Sequence, residues 1–228
     1  MARPGSADGA RLAAFLTLAT AAQLAFWWLA TPGPTLLHGA ERGPAFAFAA
    51  VAWSVATLLP AALASAPLLR LPLARLGFAW GRSGRWLPVT GAIALAAAPV
   101  LWLQGGDASL ASAYPWTSAA WLDGRPGRWT AWAAGYALYY LAFEAFFRGA
   151  VLHGLRERLG DGGANAAQAM LATLIHVGKP LVETVAAFPA SLLFGWLTLR
   201  SRSLLPAVVL HLAIGLAMDA AVVARGSP

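Results

Sequence analysis

The sequence predicts an all-α protein, a polytopic membrane bundle of about seven transmembrane helices. Hydrophobic residues make up 59% of the 228 residues, charged residues only 11%, and the mean hydropathy is +0.63. A soluble domain cannot bury so apolar a composition. Because each spanning helix needs about 20 apolar residues, one bundle uses the whole length. We therefore expect a single membrane domain.

Seven apolar stretches are candidate spans. The first, Leu12–Ala30, follows Arg3 and Arg11 and is expected to be a retained helix, not a cleaved signal peptide. The fifth is short for a full crossing, so with the sixth it should form a membrane hairpin or, alternatively, a re-entrant segment. The other six stretches are Pro44–Leu69, Trp86–Gln104, Trp129–Phe147, Ala164–Val177, Leu181–Leu199 and Ser203–Val223.

Basic residues predict the orientation. Eleven arginines lie on the side of the N-terminus, and the five basic residues on the other side are Arg42, Arg125, Arg128, Lys179 and Arg225. This excess favours a cytoplasmic N-terminus and explains the formal charge of +7 without a nucleic-acid partner. The chain has no cysteine, so thiol nucleophiles and cysteine-bound metals are excluded.

Two connections combine basic and bulky apolar residues. Leu71–Arg82 is expected to lie along the cytoplasmic headgroups. The long external connection Gly105–Arg128 contains Tyr114-Pro115-Trp116 and is expected to form a second interfacial piece. We divide the membrane domain into residues 1–128, with helices and interfacial loops, and residues 129–224, which carry the polar motifs.

A glutamate in the fourth span is the first indication of a site. The first three spans contain no ionisable residue, and a charge in hydrocarbon is costly unless it finds a partner or a wet cavity. Tyr136, Tyr140, Glu144 and Arg148 recur every four residues and share one helix face, so Glu144 and Arg148 can pair. Alternatively, Arg148 only marks the cytoplasmic boundary and neutralises Glu144.

The later spans supply two imidazoles and two further carboxylates. His176 follows an apolar run, and His211 lies on the last span four residues before Gly215 and eight before Asp219. Glu183 falls in the opening turns of the sixth span, where the helix dipole favours a carboxylate. The simpler interpretation of Lys179 and Glu183 is an interfacial ion pair. The simpler interpretation of either histidine is a hydrogen bond between two helices.

The motifs resemble those of a known family. The run Phe143-Glu144-Ala145-Phe146-Phe147-Arg148-Gly149, followed by His176 and by Leu204-Leu205-Pro206-Ala207-Val208-Val209-Leu210-His211, is similar to the CPBP intramembrane proteases. That family includes the type II CAAX prenyl endopeptidases and the bacterial abortive-infection proteins. The resemblance covers about Tyr139 to Asp219 and implies a divergent member in a bacterial cytoplasmic membrane.

Three positions depart from the family pattern. Phe143 stands where the family has the first of two glutamates, Ala172 where it has phenylalanine, and Gly215 where it has asparagine or aspartate. The first glutamate is the residue held to activate the attacking water in the family. The departures therefore leave open an inactive family member that serves as a membrane immunity, scaffold or partner-binding protein.

The resemblance implies an intramembrane endopeptidase in which a glutamate and a histidine activate water against a peptide bond. The substrate would be a membrane-associated peptide or protein reached from the cytoplasmic side. We expect Glu144 to be the base, His176 its partner and His211 the oxyanion donor. The supporting residues are Arg148, which fixes Glu144, Asp219, which orients His211, and Glu183 and Lys179.

Metal and other functions are less well supported by the residues. Glu144, His176 and His211 are candidate ligands of a divalent ion such as zinc, although the helix motif of two histidines flanking a glutamate is missing. A haem protein would need His176 and His211 on opposite faces of the cofactor. A transporter would need polar residues through several spans, and the first three spans have none.

Overall fold

The computed structural model describes residues 4–30 and 43–225, and it is helical without any strand in these ranges, which confirms the predicted all-α class. A 3₁₀ turn covers Leu73–Leu76 and a π-helix covers Ala145–Val151. Arg3 and Arg42, two of the basic residues counted to predict the orientation, lie outside the described residues. The α-helices are α1 (Pro4–Ala30), α2 (Pro44–Leu69), α3 (Ser83–Gln104), α4 (Ala108–Ala111), α5 (Ala119–Leu122), α6 (Pro126–Glu144), α7 (Leu152–Leu174), α8 (Leu181–Ser201) and α9 (Leu205–Arg225).

Five helices of the described chain are long and apolar enough to cross a membrane, namely α1, α2, α3, α8 and α9. These helices identify an integral membrane protein, but the predicted count of seven spans is not confirmed. The fourth predicted span, now α6, is rich in glycine, tryptophan and tyrosine instead of aliphatic residues. The fifth belongs to α7, whose beginning carries several charges.

The boundaries of α6 and α7 differ from those predicted. The predicted span Trp129–Phe147 ends at Phe147, but α6 continues through the π-helix into α7. Arg148, in the π-helix, is fully buried. Arg148 therefore does not mark a boundary. Helix α7 breaks at Gly160, whose φ of 66° suits glycine, so that only residues 161–174 remain for the fifth span. At about 1.5 Å per residue they measure about 21 Å, shorter than a hydrocarbon core of about 30 Å.

An aromatic ladder on α6 forms the centre of the bundle. Trp132, Tyr136 and Tyr140 are spaced by four residues and lie on one face. The rings of Trp132 and Tyr136 stack with centroids 4.4 Å apart, and those of Tyr136 and Tyr140 are 4.6 Å apart. Helix α6 packs between α2 and α9, while α3 packs on α9 and α7 on α8.

The two connections predicted to lie at the membrane interface, Leu71–Arg82 and Gly105–Arg128, both pack against the helices. In the Leu71–Arg82 segment Leu76 is fully buried, and the amide of Arg82 donates to the carbonyl of Ser201 over 2.6 Å. This segment therefore covers the turn between α8 and α9. The Gly105–Arg128 connection contains α4 and α5 and buries Trp116 against Tyr139 of α6, with ring centroids 5.3 Å apart.

Candidate functional site

The π-helix places two charged side chains in the protein interior. Glu144 is the last residue of α6, and Arg148 lies within the wide π-helical turn that follows. Both are completely buried. Such turns widen the helix by one residue and often occur at functional sites. Here the π-helix keeps Glu144 and Arg148 on the same side, facing α8 and α9.

Glu144 contacts both an imidazole and a guanidinium. Its Oε1 lies 2.6 Å from Nδ1 of His211 and 3.3 Å from Nη1 of Arg148. Its Oε2 lies 3.2 Å from Nε of Arg148 but accepts no hydrogen bond within the described chain. With a neutral imidazole, Nδ1–H donates to Glu144, which leaves Nε2 of His211 as a proton acceptor.

Aromatic rings hold His211 in one orientation. Its ring stacks on Tyr140 with centroids 4.0 Å apart, meets Phe143 edge-on at 5.3 Å and lies 4.9 Å from Phe194. The guanidinium of Arg148 also lies over the rings of Phe143 and Phe194, at 5.5 Å and 5.2 Å. The pair of Glu144 and His211 is therefore enclosed by apolar surface on several sides, and its electrostatic interactions are strong.

A second polar cluster joins the turn before α8 to the connection between α4 and α5. Glu183 Oε1 accepts hydrogen bonds from Nζ of Lys179 and from the hydroxyl of Tyr114, both over 2.8 Å. Nε2 of His176 lies 3.7 Å from the same oxygen, while its Nδ1 is 2.7 Å from the carbonyl of Ala172. Burial, and then the charge of Glu183, raise the pKa of the Tyr114 hydroxyl well above its usual value. Tyr114 therefore remains a hydrogen-bond donor.

A mostly apolar cavity of about 250 Å³ connects the two clusters. It is bounded by α3, α6, α8 and α9, and His176, His211 and Glu183 line it. Glu144 is not among its lining residues and reaches the cavity through His211. A second cavity of about 390 Å³ shares Tyr114 and Glu183 with the first, so both side chains border both cavities.

The structure brings the predicted residues together in a different arrangement. Glu144 pairs with His211, whereas its predicted partner is His176. His176 belongs to the second cluster with Glu183 and Lys179. The predicted contact of Arg148 with Glu144 is present. Helix periodicity indicated that contact, whereas the partner of an imidazole on another helix depends on packing that the sequence does not reveal.

Asp219 lies outside this site. It is fully buried, and its Oδ2 accepts a hydrogen bond from Nε1 of Trp132 over 2.7 Å. Asp219 therefore does not make the predicted contact with His211 but contacts Trp132, the member of the aromatic ladder farthest along α6 from Glu144. Trp132 and Tyr114 have no role in the site predicted from the sequence. Only the enrichment of aromatic residues near predicted span ends could have drawn attention to them.

The residues do not fit the suggested metal centre. The candidate ligands Glu144, His176 and His211 are divided between two clusters, and Nδ1 of His211 already contacts the carboxylate. In residues 4–30 and 43–225 no group of three or more histidine, aspartate or glutamate side chains is placed to hold an ion. In both clusters the carboxylates, imidazoles and Lys179 instead contact one another through hydrogen bonds and ion pairs.

The arrangement defines a class of protein: a helical membrane protein with a buried pair of carboxylate and imidazole beside an apolar cavity. Residues 125–217 match the family described as type II CAAX prenyl endopeptidase Rce1-like. This match confirms the resemblance found in the sequence, and the chain carries an Rce1-like segment that includes Glu144, His176 and His211. The comparisons with curated proteins and with solved structures gave no match.

Proposed function

We propose that this protein is an intramembrane endopeptidase that hydrolyses a peptide bond of a membrane-associated substrate. The observation that carries this proposal is the 2.6 Å contact between Glu144 Oε1 and His211 Nδ1 at the wall of the apolar cavity. A carboxylate on Nδ1 fixes the tautomer of the ring, so that Nε2 can accept a proton from water. The match to the Rce1-like family supports a peptidase instead of another hydrolase.

The proposed roles differ from those expected from the sequence. His211 removes the proton from the attacking water, and Glu144 orients the ring and stabilises the imidazolium that forms. Arg148 Nε lies 3.2 Å from Oε2 of Glu144, so the guanidinium holds the carboxylate in place while its Oε1 contacts His211. His176 and Glu183 line the other end of the cavity. Because Nδ1 of His176 donates to the carbonyl of Ala172, its Nε2 can accept a hydrogen bond from a backbone N–H of the peptide.

The walls of the cavity favour an apolar or lipid-modified substrate. Val100 of α3 and Val182 of α8 line it and are 58% and 39% exposed, so both reach the outer surface of candidate spanning helices. A substrate can therefore enter sideways from the lipid and leave its apolar part between α3 and α8. The prenyl endopeptidase family supports a prenylated peptide as the substrate class. The proposed location is the cytoplasmic membrane of a bacterium.

Purified protein in lipid nanodiscs provides the test. Farnesylated, geranylgeranylated and unmodified peptides are incubated with the protein, and cleavage is followed by mass spectrometry. Glu144→Gln and His211→Gln should each lower kcat by about 10²- to 10⁴-fold, the contribution of a positioned base. The matched controls Glu157→Gln and His153→Gln, whose residues do not line the cavity, should retain activity. Full activity of Glu144→Gln would exclude the proposed roles.

A non-catalytic membrane protein is the second candidate. It is favoured by Phe143, which places a phenyl ring against His211 where the family carries its first glutamate. Such a protein would keep the cavity and use it for binding a partner, for scaffolding or for immunity. Absence of cleavage from the whole peptide panel, with prenylated peptide still bound, would select this candidate.

A further inference from the structure

The tyrosine that stacks on His211 lines the same cavity. Tyr140 is 6% exposed, lines the cavity and lies with its ring 4.0 Å from that of His211. Its hydroxyl is placed against Gly215 of α9, one helical turn after His211. A Cβ atom at position 215 would overlap the hydroxyl oxygen of Tyr140. The absence of a side chain at Gly215 therefore makes room for this hydroxyl.

Gly215 is unusual where it stands. It lies in the middle of α9, where glycine is less favourable than alanine, and its helical backbone needs no positive φ. What the position requires is space, and Tyr140 fills that space with a hydrogen-bond donor. Tyr136 lies close to the same position, because its ring is 3.0 Å from where a Cβ atom of residue 215 would stand. The position of the Tyr140 hydroxyl thus depends on the absence of a side chain at Gly215.

We infer that the Tyr140 hydroxyl donates a hydrogen bond to the substrate carbonyl oxygen and stabilises the negative charge that develops on it. This inference rests on the proposed endopeptidase function and adds a residue to it. Tyr140, His211 and Gly215 all line the cavity, and the Tyr140 hydroxyl lies against Gly215, so a carbonyl attacked by a water on His211 can place its oxygen at this hydroxyl. Such a donor acts most strongly on the oxyanion, not on the ground-state carbonyl.

The proposed step balances as a hydrolysis. The water oxygen forms a bond to the carbonyl carbon, the π electrons move to the carbonyl oxygen, and His211 Nε2 takes one proton of the water. Tyr140 keeps its proton and shares it in a hydrogen bond with the oxyanion. When the C–N bond breaks, its electron pair stays on nitrogen, which receives the proton from His211. The products are a carboxylic acid and an amine.

Tyr140→Phe tests the inference, with Tyr139→Phe as the matched control. Tyr139 is the neighbouring residue, is also 6% exposed and does not line the cavity. Tyr140→Phe should lower kcat about 10²-fold or more, with KM changed less than about threefold, because the lost bond belongs mainly to the transition state. Tyr139→Phe should change neither value by more than about twofold.

Binding of a tetrahedral analogue separates a catalytic from a structural role. A peptide phosphonate should bind Tyr140→Phe about 100-fold more weakly than the unmodified protein, whereas the product peptide should bind both equally. Equal loss of affinity for both ligands would show that Tyr140 only shapes the cavity and would overturn the inference. Normal turnover by Tyr140→Phe would overturn it while leaving the endopeptidase function intact. Absence of turnover by the unmodified protein would overturn both.

Gly215→Ala provides an independent variant. The added methyl group must displace the Tyr140 hydroxyl, so turnover should fall to a similar extent as in Tyr140→Phe. In the Tyr140→Phe background the same substitution should cause little further loss, because the displaced group is already missing. Additive losses would contradict the shared origin of the two effects.

Discussion

Replacing Arg148 by methionine removes the guanidinium from a completely buried ion pair. Arg148 and Glu144 are 1% and 0% exposed in their side chains, and Nε lies 3.2 Å from Oε2. At an effective dielectric constant of about 20, two unit charges at that distance attract by about 5 kcal/mol. Breaking a buried pair by removing one partner typically costs about 3–5 kcal/mol. Because His211 remains beside Glu144, we expect Arg148→Met to lower the free energy of unfolding by about 3 kcal/mol.

The assay is reversible unfolding in mixed detergent micelles, followed by tryptophan fluorescence. Arg156→Met is the matched control, since Arg156 and Asp161 form an ion pair with side chains 46% and 58% exposed. Exposed pairs contribute about 0–1 kcal/mol, so this control should change stability little. The double variant Glu144→Leu/Arg148→Met should recover much of the loss, since no unpaired charge remains. Equal effects of Arg148→Met and Arg156→Met would refute the reasoning.

Three further predictions concern other parts of the bundle. Trp132→Phe leaves the buried Asp219 carboxylate without its donor and should lower the free energy of unfolding by about 1–3 kcal/mol, measured in the same micelles. Gly195→Ala should destabilise by about 1–3 kcal/mol, because the methyl group would overlap the amide oxygen of Asn165. The hydrogen bond from Arg156 lowers the pKa of Asp161 below 3.8, so the stabilisation by this carboxylate is present above pH 3.8 and is lost as the pH falls through its folded pKa. The stability difference between the unmodified protein and Asp161→Asn should therefore decrease below pH 3.8 in a pH series.

Each of these predictions has a defined contrary result. A Trp129→Phe variant as destabilised as Trp132→Phe would mean that the lost hydrogen bond is not responsible. Gly91 lies in α3, and among the described residues no neighbouring atom lies within 4 Å of an added Cβ. Gly91→Ala should therefore be neutral or stabilising, and a loss equal to that of Gly195→Ala would remove the steric explanation. A stability difference at Asp161 that is independent of pH would contradict the altered pKa.

Contacts between residues four apart could be predicted from the sequence, because such residues lie close together in and around helical turns. The pairing of Glu144 with Arg148 is of this kind, and so is that of Lys179, in the turn before α8, with Glu183. The boundaries Pro44–Leu69 of α2 agree with the prediction because proline begins the helix and Arg70 ends it in a left-handed conformation. The division of the domain at residue 128 stays a prediction.

Contacts between helices could not be predicted, because they depend on how each helix is rotated against the next. The π-helix after Glu144 shifts the helical register by one residue in a segment that looks regular in the sequence. The carboxylate of Glu144, on the last residue of α6, contacts His211 and not His176, and this choice depends on how α9 is rotated against α6. The hydrogen bond between Tyr114 and Glu183 joins residues 69 positions apart, and nothing in the local sequence around Tyr114 indicates it.

The departures from the family pattern at positions 143 and 215 act on the same imidazole. Phe143 meets the His211 ring edge-on, and Gly215 admits the ring and hydroxyl of Tyr140 onto its face. With an aromatic ring on each of these sides, His211 has little rotational freedom, so its Nδ1 stays directed at Glu144. A site that lacks the second carboxylate then depends on one well-oriented pair of carboxylate and imidazole. Phe143→Leu should therefore loosen the His211 ring and lower kcat more than it changes KM, whereas an increase in KM alone would mean that Phe143 only contacts the substrate.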